Sequence, residues 1–413
     1  MIRLSRVLLT TVFLTSGALV YAQNNCLECH LELEDEVAVA MSEDVHAQNG
    51  VSCVDCHGGD ATIDTDGDYT LAMDPAKGFM GVPAPRDIPQ LCGRCHSDAT
   101  FMHRFDPNLS VDQETQFWTS VHGQRLRGGA TDVAQCASCH GAHGVIAVSD
   151  PRSPVYPTRI PDTCGSCHAD PEHMEPYGIP TDQLANYRAG VHGRALFDQG
   201  DLGAPTCNSC HGNHGATPPG VDSVSLVCGT CHAVQKELFS ASPHREAFDA
   251  MGEPECETCH SNHDIESPTD DFVGVGENAV CMNCHGEGDP GYEVAGTVHQ
   301  RMSDLKEAMA GARAVVDEAA RAGMEVSEAD VALIDANQTL VESRNLVHAF
   351  AAAPVEEKVG EGLKIADQAR EMGVAALAEL DYRRRGLSIS VFFIVVLVIG
   401  LYLKIKQIEA REK

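Results

Sequence analysis

Residues 136–143 read Cys136-Ala137-Ser138-Cys139-His140-Gly141-Ala142-His143, and the rest of the chain is best read outward from this octet. Two thiols three positions apart, followed at once by an imidazole, form the string C-x-x-C-H. It recurs at Cys26/Cys29/His30, Cys53/Cys56/His57, Cys92/Cys95/His96, Cys164/Cys167/His168, Cys207/Cys210/His211, Cys228/Cys231/His232, Cys256/Cys259/His260 and Cys281/Cys284/His285. These nine strings use all 18 cysteines. Zinc sites also use C-x-x-C pairs but do not require a histidine after each second cysteine. A disulfide framework predicts no histidine pattern at all.

C-x-x-C-H is the attachment string of c-type haem: two thiols form thioethers along one porphyrin edge and the next residue reaches the iron. Nine covalent haems are therefore expected, with His30, His57, His96, His140, His168, His211, His232, His260 and His285 as proximal ligands. The other histidines supply candidates for the opposite face. His143, His214 and His263 each stand three residues past a proximal histidine, in His140-Gly141-Ala142-His143, His211-Gly212-Asn213-His214 and His260-Ser261-Asn262-His263. His46, His122, His192, His244 and His299 share a context upstream of an attachment string or at the end of the series, four of them preceded by valine. The ninth distal ligand is expected from His103 or His173, while His348, in a segment without cysteine, is set aside. Met41, Met80, Met102 and Met174 recur in no register, so bis-histidine irons with comparatively low potentials are expected.

The spacing gives a lone string at Cys26, then four repeats beginning at His46, His122, His192 and His244, each with two strings. The distance from that histidine to the first cysteine is 7, 14, 15 and 12 residues, so the loops vary while the ligand order stays. Residues 26–299 offer about thirty residues per string, too few to build an apolar core around each. The expected fold is mainly α with extensive loop, in which stacked haems form the core, followed by a three-helix bundle and one transmembrane helix.

Beyond His299 the cysteines stop. Val298, Met302, Leu305, Met309, Ala312, Val316 and Ala319 step by four and three along one helix face. Gly323 is expected to end that helix, Ser327 to cap a second running to about Ala353, and Pro354 to open a third. A stripe of this kind also suits a coiled-coil dimer, but Val355, Val359, Leu363 and Ala366 give the third helix a stripe of its own, which favours an antiparallel bundle. Residues 387–403 form a 17-residue apolar run without a charge, just long enough to cross a bilayer. Arg3 and Arg6, the apolar stretch to Val20 and the small-residue end at Ala22 read as an export signal. The expected organisation is signal peptide 1–22, haem domain 23–299, bundle 300–385, membrane helix 386–404 and cytoplasmic tail 405–413, a single-pass protein of the cytoplasmic membrane with its haem domain on the periplasmic side.

The 413-residue chain carries 60 acidic and 29 basic residues, a formal charge of −31. Outside the signal, the membrane run and the tail, 58 acidic and 23 basic residues remain, or −35. That excludes nucleic acid, which needs a basic surface, and predicts redox partners with a basic docking surface. Asp64-Thr65-Asp66-Gly67-Asp68 has the glycine misplaced for a calcium loop and no glutamate at the required distance, and reads as a solvated acidic turn.

With its doubled C-x-x-C-H units and upstream distal histidines, the segment 26–299 resembles the periplasmic multihaem cytochromes c. The resemblance implies electron transfer along a haem chain, commonly between a quinone-linked membrane donor and a periplasmic or extracellular acceptor. Quinol-oxidising relatives carry an N-terminal anchor, whereas the apolar run here is C-terminal. The ammonia-forming nitrite reductases place lysine at a catalytic attachment site, and no string here ends in lysine. An electron carrier subunit is thus expected rather than an enzyme. The alternative is a reductase or oxidase of a small nitrogen or sulfur compound with one open iron, sought at His57-Gly58-Gly59-Asp60 because that first-of-pair site lacks a histidine three residues on.

Overall fold

The computed structural model describes residues 25–63, 68–216 and 224–412. The proposed signal peptide and most of the acidic turn at 64–68 lie outside them. The chain divides into two compact units, Met1–Leu184 with Ala195–Pro218, and Ala185–Arg194 with Pro219–Lys413. Both are helical, and no strand occurs among the described residues.

In the first unit the helices are short and the apolar interior is sparse. Among its described residues the buried hydrophobics are Ala38, Ala72, Phe117, Leu126, Met174 and Leu196. At about 1.5–3 kcal/mol for each large side chain buried, this set contributes little against the ordering entropy of so long a chain. Local chemistry fixes the short elements instead. Cys53–His57, Cys136–His140 and Cys207–His211 are five-residue helices whose third residue, Asp55, Ser138 or Ser209, accepts the N-cap backbone N–H of Ser52, Gln135 or Thr206 at 2.7, 3.1 and 3.1 Å. Ile88–His96 and Ile160–His168 are nine-residue helices that each open on Ile-Pro, the proline filling a first-turn position where no N–H is needed.

The second unit ends in three long helices: α1 (Pro290–Arg321), α2 (Ser327–Leu346) and α3 (Ala352–Glu412). Asp289 caps α1 by accepting the Gly291 N–H at 2.7 Å, with Pro290 in the first turn. The expected stripe is the buried face: Val298, Met302, Leu305, Ala312, Val316 and Ala319 are each at most 3 % exposed. The upper half packs on Leu340, Val355 and Val359, the lower half on Ala329, Leu333 and Ala369. Gly323, in the left-handed region at φ 80°, follows the end of α1. Glu325 holds the N–H and hydroxyl of Ser327 at the start of α2. Contrary to the expected run to about Ala353, α2 stops at Leu346, because residues 347–349 tighten into a 3₁₀ turn and Phe350 sits at φ 49°. The third helix continues without a break through the apolar run, and it is long and apolar enough to cross a membrane.

Candidate functional site

The structure brings the histidines together in pairs. Ring centres lie 5.9 Å apart for His57/His143, 6.0 Å for His46/His96, 6.1 Å for His122/His168, His140/His214 and His260/His348, 6.3 Å for His192/His232, and 5.9 Å for His244/His285. Two imidazoles bound to opposite faces of one metal, each through a bond of about 2 Å, place their ring centres roughly 6 Å apart.

The pairs follow two rules. At each second-of-pair site the proximal histidine (His96, His168, His232, His285) faces the upstream histidine of its own repeat (His46, His122, His192, His244). At the first-of-pair sites, His57 faces His143 and His140 faces His214, so the donor comes from the loop three residues past the proximal histidine of the following repeat. Backbone hydrogen bonds fasten the same junctions: Val45 N–H to Val145 O at 2.8 Å, Val121 N–H to Ala216 O at 3.1 Å, and Val191 N–H to Ile265 O at 2.7 Å. His260 has no further repeat to draw on and faces His348.

The classes also differ in ring orientation. First-of-pair planes are nearly parallel, at 10°, 7° and 21°, whereas second-of-pair planes are inclined at 84°, 57°, 35° and 71°. The five-residue helices end on Gly58, Gly141 and Gly212 at φ 72°, 81° and 78°, and the His260 helix on Ser261 at φ 62°. This reversal sends the chain away immediately after the proximal histidine.

Electrostatics favour the ligand form. Burial holds His96, His122, His140, His143, His168, His192, His214, His244, His260 and His348 below the ordinary imidazole range, hence neutral with a free lone pair. Acceptors orient several rings through Nδ1: Asp35 for His30 at 2.9 Å, Gly81 O for His57 at 2.8 Å, Asp289 for His285 at 3.1 Å, and Asp44 for His46 at 3.1 Å. Such partners leave Nε2 for a metal and raise ligand basicity.

No cysteine forms a disulfide, and successive strings meet in chain order. In the first unit Cys92 lies beside Cys136 and Cys164 beside Cys207, while Cys26 lies near Cys53, Cys56 near Cys92 and Cys95, and Cys139 near Cys167. In the second, Cys228 lies beside Cys256, and burial with Cys281 and Cys284 nearby pushes Cys259 up to about 11.

The two thiols of a string are not equivalent in their surroundings, which the sequence pattern alone did not anticipate. Every first cysteine is half-buried, whereas the second cysteines Cys56, Cys167, Cys210, Cys231 and Cys284 are exposed, and only Cys29, Cys95, Cys139 and Cys259 among the second thiols are half-buried. About thirty residues per string leave little chain to cover both faces of a one- or two-turn helix. Cys95 belongs to the longer helix Ile88–His96. Cys210 has an interaction partner, and the Cys231 and Cys284 N–H groups each bond the carbonyl of the first cysteine of their own string, Cys228 at 3.2 Å and Cys281 at 3.3 Å. These tight turns hold the two thiols of each string on one short piece of backbone.

Of the remaining candidates, His211 and His263 each have an interaction partner. His103 is exposed with Nε2 on the Leu109 carbonyl at 3.0 Å, His173 lies against Tyr177, and His299 directs Nδ1 to the Asp270 carbonyl at 3.1 Å. None of these three faces a second imidazole among the described residues. His348 is the residue that sequence reasoning set aside and the structure brings to a site.

Paired imidazoles at metal-bridging distance, each pair beside two unbridged thiols, define a class of protein: a multihaem c-type cytochrome, and the residues present fit that group. The comparisons agree. Residues 201–286 match the family described as cytochrome c3, and residues 12–58 match the family described as cytochrome c554 and c-prime. Both are families of electron-transfer cytochromes with covalent haem. No curated protein and no solved structure matches the chain.

Proposed function

We propose that this chain is an exported, membrane-anchored cytochrome that relays electrons through nine covalent haems between a quinone-linked membrane donor and a periplasmic or extracellular acceptor. The observation that carries this reading is the imidazole ladder, in which neighbouring repeats within each unit share a junction so that successive sites lie side by side in chain order. Bound haem supplies a one-electron iron couple at each site. The chain would supply the rest: two thiols for attachment and, at the described pairs, two imidazoles to hold the iron. Two nitrogen ligands, rather than one and a thioether, keep the potentials low.

Residues 1–22 act as the export signal, and the apolar part of α3 as the anchor with the haem-bearing units outside the cytoplasm. An exported charge of −35 selects a partner with a basic surface, and electron exchange with it should slow as salt rises. The test is haem content per chain and electron paramagnetic resonance of the oxidised, purified protein. Nine haems, nearly all low-spin, are expected. A content well below nine, or mostly high-spin iron, would overturn the relay.

A further inference from the structure

The two pairing rules fill the described pairs but leave one proximal histidine with no donor. Under the rule of the second-of-pair sites, His30 would need a histidine upstream, and residues 1–29 contain none. Under the rule of the first-of-pair sites, its donor would sit three residues past His57, where His143, His214 and His263 sit past His140, His211 and His260. That position is Asp60.

The structure agrees with this reading of the ladder. Loop 59–63 is fastened to the helix Asn25–Glu32 much as the other junctions are fastened, with Asn25 N–H on the Ala61 carbonyl at 3.1 Å and the Asn25 amide on the Ile63 carbonyl at 2.9 Å. Burial chiefly, then Cys53, raises the Cys26 thiol, and Asp60 is near enough to add to the same shift. Its carboxylate is already committed, one oxygen accepting from Thr62 and the other from Lys77 at 3.0 Å. Among the described residues no other imidazole ring faces His30, whose own Nδ1 is held by Asp35.

We propose that the Cys26/Cys29 haem has an open distal position that binds a small uncharged ligand. This rests on the haem-relay reading and adds to it a binding site at one end of the ladder. Asp35 makes His30 a basic proximal ligand, which favours electron donation to whatever binds opposite. Residues 26–44 contain Glu28, Glu32, Glu34, Asp35, Glu36, Glu43 and Asp44 and no lysine or arginine. That field disfavours anions and admits neutral molecules.

The test uses the full-length haem-loaded protein, with haem counted per chain. Wild type should show a high-spin ferric signal from about one haem in nine, and the reduced protein should bind about one equivalent of carbon monoxide. Azide should bind the oxidised protein weakly, with occupancy rising as salt screens the acidic field. Cys26→Ser combined with Cys29→Ser should leave eight haems and abolish both the high-spin signal and carbon monoxide binding. Asp60→His should restore the missing donor, keeping nine haems while converting the signal to low-spin. Nine haems that are all low-spin in wild type would overturn this proposal and leave the relay standing, whereas a haem content far below nine would overturn the relay itself. A high-spin signal that survives either substitution would also overturn the proposal.

Discussion

Replacing His348 with alanine tests the ladder at the point the sequence concealed. His348 stands 6.1 Å from His260 across the expected iron position, with planes 21° apart, and the described residues offer no second imidazole to take its place. The spectroscopic magnitude follows from ring orientation. Parallel imidazoles act through their π orbitals on the same iron d orbital and split it widely from its partner. Perpendicular imidazoles act on one orbital each and leave the two nearly degenerate. The seven pairs described here should thus give two low-spin signals, a rhombic set from the three pairs at 7–21° and a large-g set from the four at 35–84°. His348→Ala should remove about one haem's worth of that rhombic intensity, leave the large-g set unchanged, and add high-spin iron amounting to about one haem in nine. Haem content should not fall, because attachment uses Cys256, Cys259 and His260. Loss from the large-g set, or no change in spin state, would refute the pairing.

Three further outcomes follow from the same geometry. Gly141→Ala places a side chain at φ 81° with nothing nearer than 3.7 Å, and should cost about 1–2 kcal/mol; Gly58→Ala adds an approach of 2.1 Å to the Gly78 carbonyl and should lower the thermal midpoint distinctly more, so equal effects would refute the close approach. Asp270, 9 % exposed, is held at about 2, chiefly by Arg344 and further by Lys306. A depressed carboxylate stabilises the fold above its unfolded pKa and loses that contribution as pH falls toward 2. Discounted for half-exposed partners, the contribution is about 1–2 kcal/mol, so the stability difference between wild type and Asp270→Asn should be full at pH 5 and shrink toward pH 2, whereas a pH-independent difference would contradict the ion pair. The part of α3 between Ala352 and the apolar run at 387 has a length of about 50 Å at 1.5 Å per residue. Electron microscopy of the protein in lipid nanodiscs should show the His260/His348 end of the bundle standing off the bilayer by roughly that length, and a bundle lying flat on the membrane would refute the stalk.

Much of this was legible in the sequence, for identifiable reasons. The attachment strings are local, so nine candidate proximal positions can be read from the sequence without knowing any contact. The stripe on α1 is periodic, and periodicity survives folding. What could not be read was which imidazole faces which, since that depends on a loop of one repeat docking against another about 85 residues away, as His143 does on His57. His348 has no repeating context and sits in a 3₁₀ turn created by the unusual backbone at Phe350. One signal was nevertheless available. If donors come from the following repeat, the last first-of-pair site has none left, and a histidine beyond the repeats must serve it. The missing histidine after His57 is likewise visible in the sequence, and the pairing of His57 with His143 corrects the expectation that it leaves the iron of its own string open.

Donor sharing between repeats explains why the loops can vary in length while the ligand order does not. A repeat with its upstream imidazole and two strings is incomplete alone, because its first site borrows from its successor. It behaves like a unit of a solenoid, stable only against neighbours and needing special pieces at each end. At the C-terminal end that piece is the helical bundle, which donates His348 and whose Arg344 and Lys306 bind Asp270, so the segment that carries the long apolar helix also completes the ladder. At the N-terminal end Asp60 occupies the donor's place and nothing comparable closes the site among the described residues. The two ends of the proposed relay are thereby chemically distinct. A filled iron beside the bundle suits exchange of electrons alone, while an iron left open at the far end of the series can also bind a molecule.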